Sequence, residues 1–127
     1  ETGAAQLAAE RRTAEHLEAL ESSLQRMVAH HEADEVEAFV AADLEFHETI
    51  LHAAENRILI AAMLPLTSML AETRGETSAV GEIREHAIAQ HGKLLDAIRA
   101  GVPVAARDAM WTHMMQTRDD LIALVLD

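Results

Sequence analysis

Between Ala4 and about His30, the residues Leu7, Leu17, Leu20, Leu24, Met27 and Val28 stand mostly three, four or seven positions apart. Side chains at that spacing gather on one face of a helix. The same period returns along most of the chain and constrains the fold more than any other feature. Composition agrees with it: Tyr is absent, Phe occurs twice and Trp once, while half the residues are apolar. A chain of 127 residues suits one domain, burying roughly two-thirds of the surface that its unfolded form exposes.

The first stretch reads as one long helix from Ala4 to about His30. A second begins near Asp34 or Glu35, where acidic groups suit the positive end of a helix dipole, and runs through Val36, Phe39, Val40, Leu44, His47, Ile50 and Leu51 to about Ala54. Asn56 is placed to cap a third helix from about Arg57 to Thr73, which Pro65 should kink or split. Gly75 to Gly81 reads as a loop. Two further helices, about Glu82 to Ala100 and Val104 to Leu126, are separated by Gly101-Val102-Pro103, with Gly closing one and Pro opening the next. The expected fold is all-α, an antiparallel bundle of five to six helices with a central metal or ligand pocket.

Ten basic against 22 acidic residues give a formal net charge of −12. The one dense basic spot is Arg11-Arg12. Such a surface repels nucleic acid, so this domain alone is not expected to bind DNA. The chain has no Cys, hence no disulfide and no thiolate metal site. Its longest apolar run, Ile58 to Leu66, contains Pro65 and falls short of the roughly 20 residues that span a bilayer. A soluble cytoplasmic protein without membrane contact is expected.

Eight histidines are present, and their positions separate them. Asp43 and His47 lie one helical turn apart on a single face, where both can reach one cation; the pair also fits an Asp–His hydrogen bond or two solvated groups. His91 lies as far before Val102 as His113 lies after it. At about 1.5 Å per residue both stand roughly 16 Å from that turn, level with each other on antiparallel neighbours. His91 shares a face with Ile88, Leu94 and Leu95, and His113 with Met110 and Leu121, so both are expected to point inward. Inward imidazoles on adjacent helices can converge on a metal ion, or can be core histidines satisfied by hydrogen bonds. His30 and His31 suit the negative end of the first helix. His16, His52 and His86 lack a partner at comparable spacing and read as surface or supporting groups, His52 lying nearest the pocket face.

Two catalytic metal patterns fail. His31-Glu32 and His47-Glu48 are followed at the required position by Glu35 and Leu51 rather than His, so no HExxH zinc-protease motif exists. No histidine has Glu three residues before it, as a carboxylate-bridged di-iron bundle requires. Without Cys, a strand-to-helix serine elbow or a glycine-rich phosphate loop, nucleophilic and phosphoryl chemistry lack their usual groups.

Taken in order, the motifs resemble one family. Glu1 with Ala4-Ala5-Gln6-Leu7-Ala8-Ala9, then Asp43-Leu44-Glu45-Phe46-His47, Asn56, His91-Gly92-Lys93-Leu94-Leu95-Asp96-Ala97-Ile98 with Gly101, and Ala105, Ala109, Met110 and His113, resemble the FadR C-terminal domain family, the ligand-sensing domain of GntR-type bacterial regulators. The resemblance spans nearly all of residues 1–127. It implies the metal-binding branch, in which the positions of Asp43, His47, His91 and His113 hold one divalent transition metal per chain, usually zinc or nickel. It implies too a small organic acid as effector, with a carboxylate or hydroxyl completing the coordination, and a homodimer. Arg74, able to grip a carboxylate in a fork, is the candidate second contact to that effector, a solvated helix-end arginine being the alternative. DNA binding is expected to belong to an N-terminal winged helix-turn-helix outside these residues. A metal-dependent helical-bundle enzyme and a plain helical dimerisation module are the alternative functions.

Overall fold

The computed structural model describes residues 1–126, leaving Asp127, the last residue of the expected domain, outside. It contains seven helices: α1 Thr2–Arg11, α2 Ala14–Glu32, α3 Val36–Ala53, α4 Arg57–Met69, α5 Ala71–Ser78, α6 Gly81–Ala100 and α7 Pro103–Leu126. The all-α expectation holds, with more helices than the five to six expected. Helix α2 packs along α3, α6 along α7, and α1 lies across α7 and α3. The buried face of α1 is Ala4, Ala5, Ala8 and Ala9, small enough for its backbone to approach its neighbours. Leu20, Phe46, Ile50, Leu94, Ile98 and Met110 fill the main core, and Met27, Phe39 and Ala42 form a second cluster toward the α2–α3 turn.

The first expected helix is two. Arg12 takes an extended conformation (φ −55°, ψ 146°), and Thr13 starts α2 with a reciprocal cap. Thr13 Oγ1 accepts from the His16 amide (3.2 Å) and His16 Nδ1 accepts from the Thr13 amide (3.1 Å). A histidine here takes the part usually played by Glu or Gln, which assigns His16 a role the spacing did not suggest. The break lets Arg11 and Arg12 leave the helical path: Arg11 donates to Ala54 O (2.8 Å) and Arg12 to Arg99 O (3.2 Å). The basic spot thus satisfies carbonyls at the C-terminal ends of α3 and α6, which no intrahelical donor reaches.

Pro65 lies inside α4, and the division falls later, at Leu70. The expected loop from Gly75 to Gly81 is mostly helix α5, followed by a short turn. Gly75, Thr77 and Ser78 have modest helix propensity, but Thr77 and Ser78 are buried and Thr77 Oγ1 donates to the carbonyls of Thr73 and Arg74. Tertiary packing overrides propensity here. The turn after α5 is held by Arg84, buried at 4% exposure, which donates to Ser78 O (2.8 Å), His31 Nδ1 (2.9 Å) and Asp34 Oδ1 (2.6 Å). Elsewhere the punctuation is as expected: Asn56 Oδ1 accepts from the Leu59 amide (3.0 Å), and Gly101 ends α6 in the left-handed region at φ 69°.

A Cβ on Gly101 would add the left-handed penalty of an L side chain and stand 2.9 Å from Arg12 Nη2. Gly101→Ala is expected to lower the unfolding free energy by about 1 kcal/mol or more. Urea denaturation checks this, and an unchanged midpoint would contradict the tight apposition of the α6–α7 turn with Arg12.

Candidate metal centre

Helix α3 supplies Asp43 and His47 one turn apart, α6 supplies His91, and α7 supplies His113. Their exposures are 4%, 2%, 0% and 5%. One nitrogen from each of the three imidazoles can be chosen so that all lie within 4.8 Å of one another. Ring centroids are 5.0 Å apart for His47 and His91, 4.6 Å for His91 and His113, and 5.4 Å for His47 and His113. The level placement of His91 and His113 read from their common turn is therefore found in three dimensions. Asp43 is not part of that three-histidine group but touches two of its members: His91 Nε2–H donates to Asp43 Oδ1 (2.7 Å), and His47 Nε2 lies 3.5 Å from the same oxygen.

The two Asp43–histidine separations bracket those of donor atoms sharing one ion. Two atoms bonded to one ion at about 2.0–2.1 Å are separated by roughly 2.9 Å at a right angle and roughly 3.4 Å tetrahedrally. The buried Nδ1 and Nε2 of His47 and Nδ1 of His91 have no hydrogen-bond partner, whereas buried polar atoms in native proteins are nearly always satisfied. Imidazole donors suit zinc, copper, iron and nickel alike.

Neighbouring groups orient the cluster. Gln90 Oε1 lies 3.2 Å from His113 Nδ1; when that nitrogen carries the proton and donates to the amide oxygen, Nε2 is left as the free lone pair. Glu1 Oε1 stands 3.5 Å from His47 Nδ1, beyond a well-formed hydrogen bond but close enough for charge to act. Arg74 Nη1 donates to Asp43 Oδ2 (3.1 Å), while its buried Nε has no partner. The structure thus places Arg74, the expected effector contact, against a carboxylate of the site itself with one donor uncommitted. Gln90 and Glu1 escaped the sequence reading as site residues. Gln90 was discoverable as the neighbour of His91 on a helix level with His113; the contact of Glu1 across the bundle had no local signal.

Of the other histidines, His86 borders the site, with Nδ1 3.1 Å from Asp120 Oδ1, which Gln116 also contacts (2.9 Å). His52 is exposed and lies outside the cluster, beside Arg26 and Glu48. His30 meets Glu35 (3.3 Å) and His31 meets Arg84. Two cavities adjoin the cluster, with Arg74 and His113 in the wall of both. One is polar and small, about 30 Å³, and reaches His86 and Asp120; the other, about 300 Å³, opens past Leu70, Met114 and Leu121.

Burial and mutual charge set the protonation of the group. Burial raises the Asp43 carboxyl, but hydrogen bonding and charge from His47 and His91 outweigh it and hold Asp43 well below the usual range. Contact with His47 lowers Glu1 to about 2. Burial, with the charge of its neighbours, lowers His113 to about 2 and lowers His91. Burial and Arg74 act to lower His47, yet its contacts with Asp43 and Glu1 raise it.

A centre with these properties inside a helical bundle defines a binding domain, and comparison with known proteins gives its class. The FCD domain family matches residues 1–116. The chain is 33% identical over 126 residues to the HTH-type transcriptional regulator LutR of Bacillus subtilis, covering 95% of this chain and 57% of that protein. It is 32% identical over 113 residues to the galactonate operon transcriptional repressor of Escherichia coli, covering 88% of this chain and 48% of that one. The chain spans about half the length of these relatives, which are transcriptional regulators rather than enzymes. The chain belongs to the FCD domain family of GntR-type regulators. Among the described residues no helix is long and apolar enough to cross a membrane.

The depressed proton affinities of His91 and His113 carry a pH dependence for metal-free protein. Their unfolded forms titrate near 6.5 and their folded forms lower, so their stabilising effect is complete above that value and is lost as pH falls toward the folded values. Asp43 and Glu1 act in the same direction below their ordinary values of 3.8 and 4.5, and His47 opposes. Chemical denaturation in the presence of a chelator is expected to show stability falling from about pH 7 to about pH 4, with a shallower slope in His113→Gln. A flat profile in the parent chain would contradict this assignment of charge.

Proposed function

We propose that residues 1–127 sense a small organic acid through one divalent transition metal, zinc or nickel, held by Asp43, His47, His91 and His113. The observation carrying this reading is the convergence of three buried imidazoles, two of them beside the Asp43 carboxylate, with nitrogens of His47 and His91 that no protein group satisfies. When bound, the metal supplies a Lewis-acid position for a carboxylate or hydroxyl oxygen of the effector.

The chain's own residues do the rest. Arg74 neutralises Asp43 through Nη1 and keeps Nε for the second effector oxygen. Gln90 fixes the tautomer of His113. Because Arg74 sits on α5, His113 on α7 and Asp43 on α3, an acid held at their junction biases the packing of three helices, by no more than its difference in affinity for the two arrangements.

That bias is read out by a homodimer whose subunits set the spacing of winged-helix DNA-binding domains outside this chain. Exposed Ile58 and Met69 on α4 and Trp111 on α7 support a partner surface. The net charge of −12 supports assigning DNA contact to a different domain. A purely structural dimerisation module would have its core histidines satisfied within the fold, and the unpartnered nitrogens of His47 and His91 argue against it.

Elemental analysis of the purified chain is expected to find about one transition-metal ion per chain, and His91→Ala combined with His113→Ala to lose it. Circular dichroism establishes that the double variant stays helical. Full metal content in a folded double variant would sink the assignment.

A further inference from the structure

The two cavities beside the cluster differ in a way that bears on which acids enter. The smaller one, about 30 Å³, has room for about two or three waters at roughly 10–15 Å³ each. It leaves no room for the body of an effector. The other, about 300 Å³, falls at the lower end of ligand pockets, roughly 300–1,000 Å³, and begins at Arg74 and His113.

Its walls are poor in polar partners. The exposed wall is largely apolar, with Leu70, Met114 and Leu121 along it; Glu1 and Thr73 border it too, while Thr77 Oγ1 donates to Thr73 O and Arg74 O, and Thr117 Oγ1 to His113 O (2.9 Å). A ligand hydroxyl against such a wall loses its water without replacement, whereas a methylene gains from the same burial. At the outer rim Arg118 is largely exposed and pairs with Asp119 (3.1 Å); at the inner end Arg74 is paired with Asp43 and Glu1 borders the cavity, so attraction of a carboxylate there rests on the proposed metal together with Arg74.

We infer that the effector of this chain is a monocarboxylate with an unbranched or aromatic apolar body, its carboxylate at Arg74 and His113 and its body along Leu70, Met114 and Leu121, and not a polyhydroxylated sugar acid. This deepens the proposed function and rests on it for the placement of the carboxylate. It also separates this chain from the relative named for a galactonate operon.

Isothermal titration of zinc-loaded protein with acetate, butanoate and hexanoate, and with galactonate and adipate, tests the inference. Affinity is expected to rise up to about fourfold for each added methylene, and galactonate is expected to bind at least tenfold more weakly than hexanoate. Leu121→Asn should reduce the gain in affinity from acetate to hexanoate. Affinity independent of chain length, galactonate matching hexanoate, or adipate exceeding it would each overturn the inference. Repeating the series with chelator present separates it from the reading beneath. Acetate binding equally well without zinc would overturn the metal-centred site, whereas zinc-dependent acetate binding with a flat chain-length series would leave that site standing and remove only the apolar effector.

Discussion

Three imidazoles and a carboxylate are buried together at the middle of this bundle, and the surrounding packing answers to that constraint. Removing such groups from water is costly unless each polar atom is satisfied. Asp43 is satisfied by His91 and Arg74; His47 is not. An apolar core of the same shape would be cheaper to bury, and the unpartnered nitrogens of His47 are a cost that the proposed ion would offset. Phe46 packs against His91 with ring centroids 4.4 Å apart, and Met110 and Leu94 lie one turn from His113 and His91 on their helices. The main core therefore fixes the imidazoles sideways and leaves their nitrogens facing one another.

Helix α5 depends on this centre more than the others do. At eight residues, with Gly75 inside it, it is too short to persist alone, since isolated helices below about 12–15 residues are marginal in water. It is held by the Arg74–Asp43 pair, by the burial of Thr77 and Ser78, and by Arg84 beneath the following turn. A ligand that engages Arg74 consequently acts on the element whose position is least fixed by its own backbone. Were the proposed metal and effector bound, this is the element at which they would alter helix packing, because segments of low local stability respond first.

Much of the centre was legible in the sequence because its geometry is local. The one-turn spacing of Asp43 and His47 needs only helical periodicity, and the alignment of His91 with His113 needs only a short turn at Gly101. What escaped is set by contacts between distant residues. The break at Arg12 follows from two arginines reaching the ends of α3 and α6. Helix α5 replaced an expected loop because buried neighbours outweighed Gly and Thr propensities. Arg84 read as an ordinary charge on an amphipathic helix, yet its partners come from two turns far apart in sequence. Glu1 reaches His47 only after α1 is laid across the bundle.

The disposition of charge joins these observations. Of the ten basic residues, Arg74 and Arg84 pair with Asp43 and Asp34, while Arg11 and Arg12 donate to helix-end carbonyls, so the net charge of −12 is left on the molecule. Such a domain repels acids as it repels DNA, so an anionic effector must be attracted by a local field strong enough to overcome the general one. Arg74 alone cannot supply it, since one face of its guanidinium already neutralises Asp43. With Asp43 so paired and His91 and His113 neutral, a divalent ion adds charge that nearby residues do not cancel fully. The ion would then be the source of attraction as well as the point of attachment, and the carboxylate would be recognised at depth, where salt screens least.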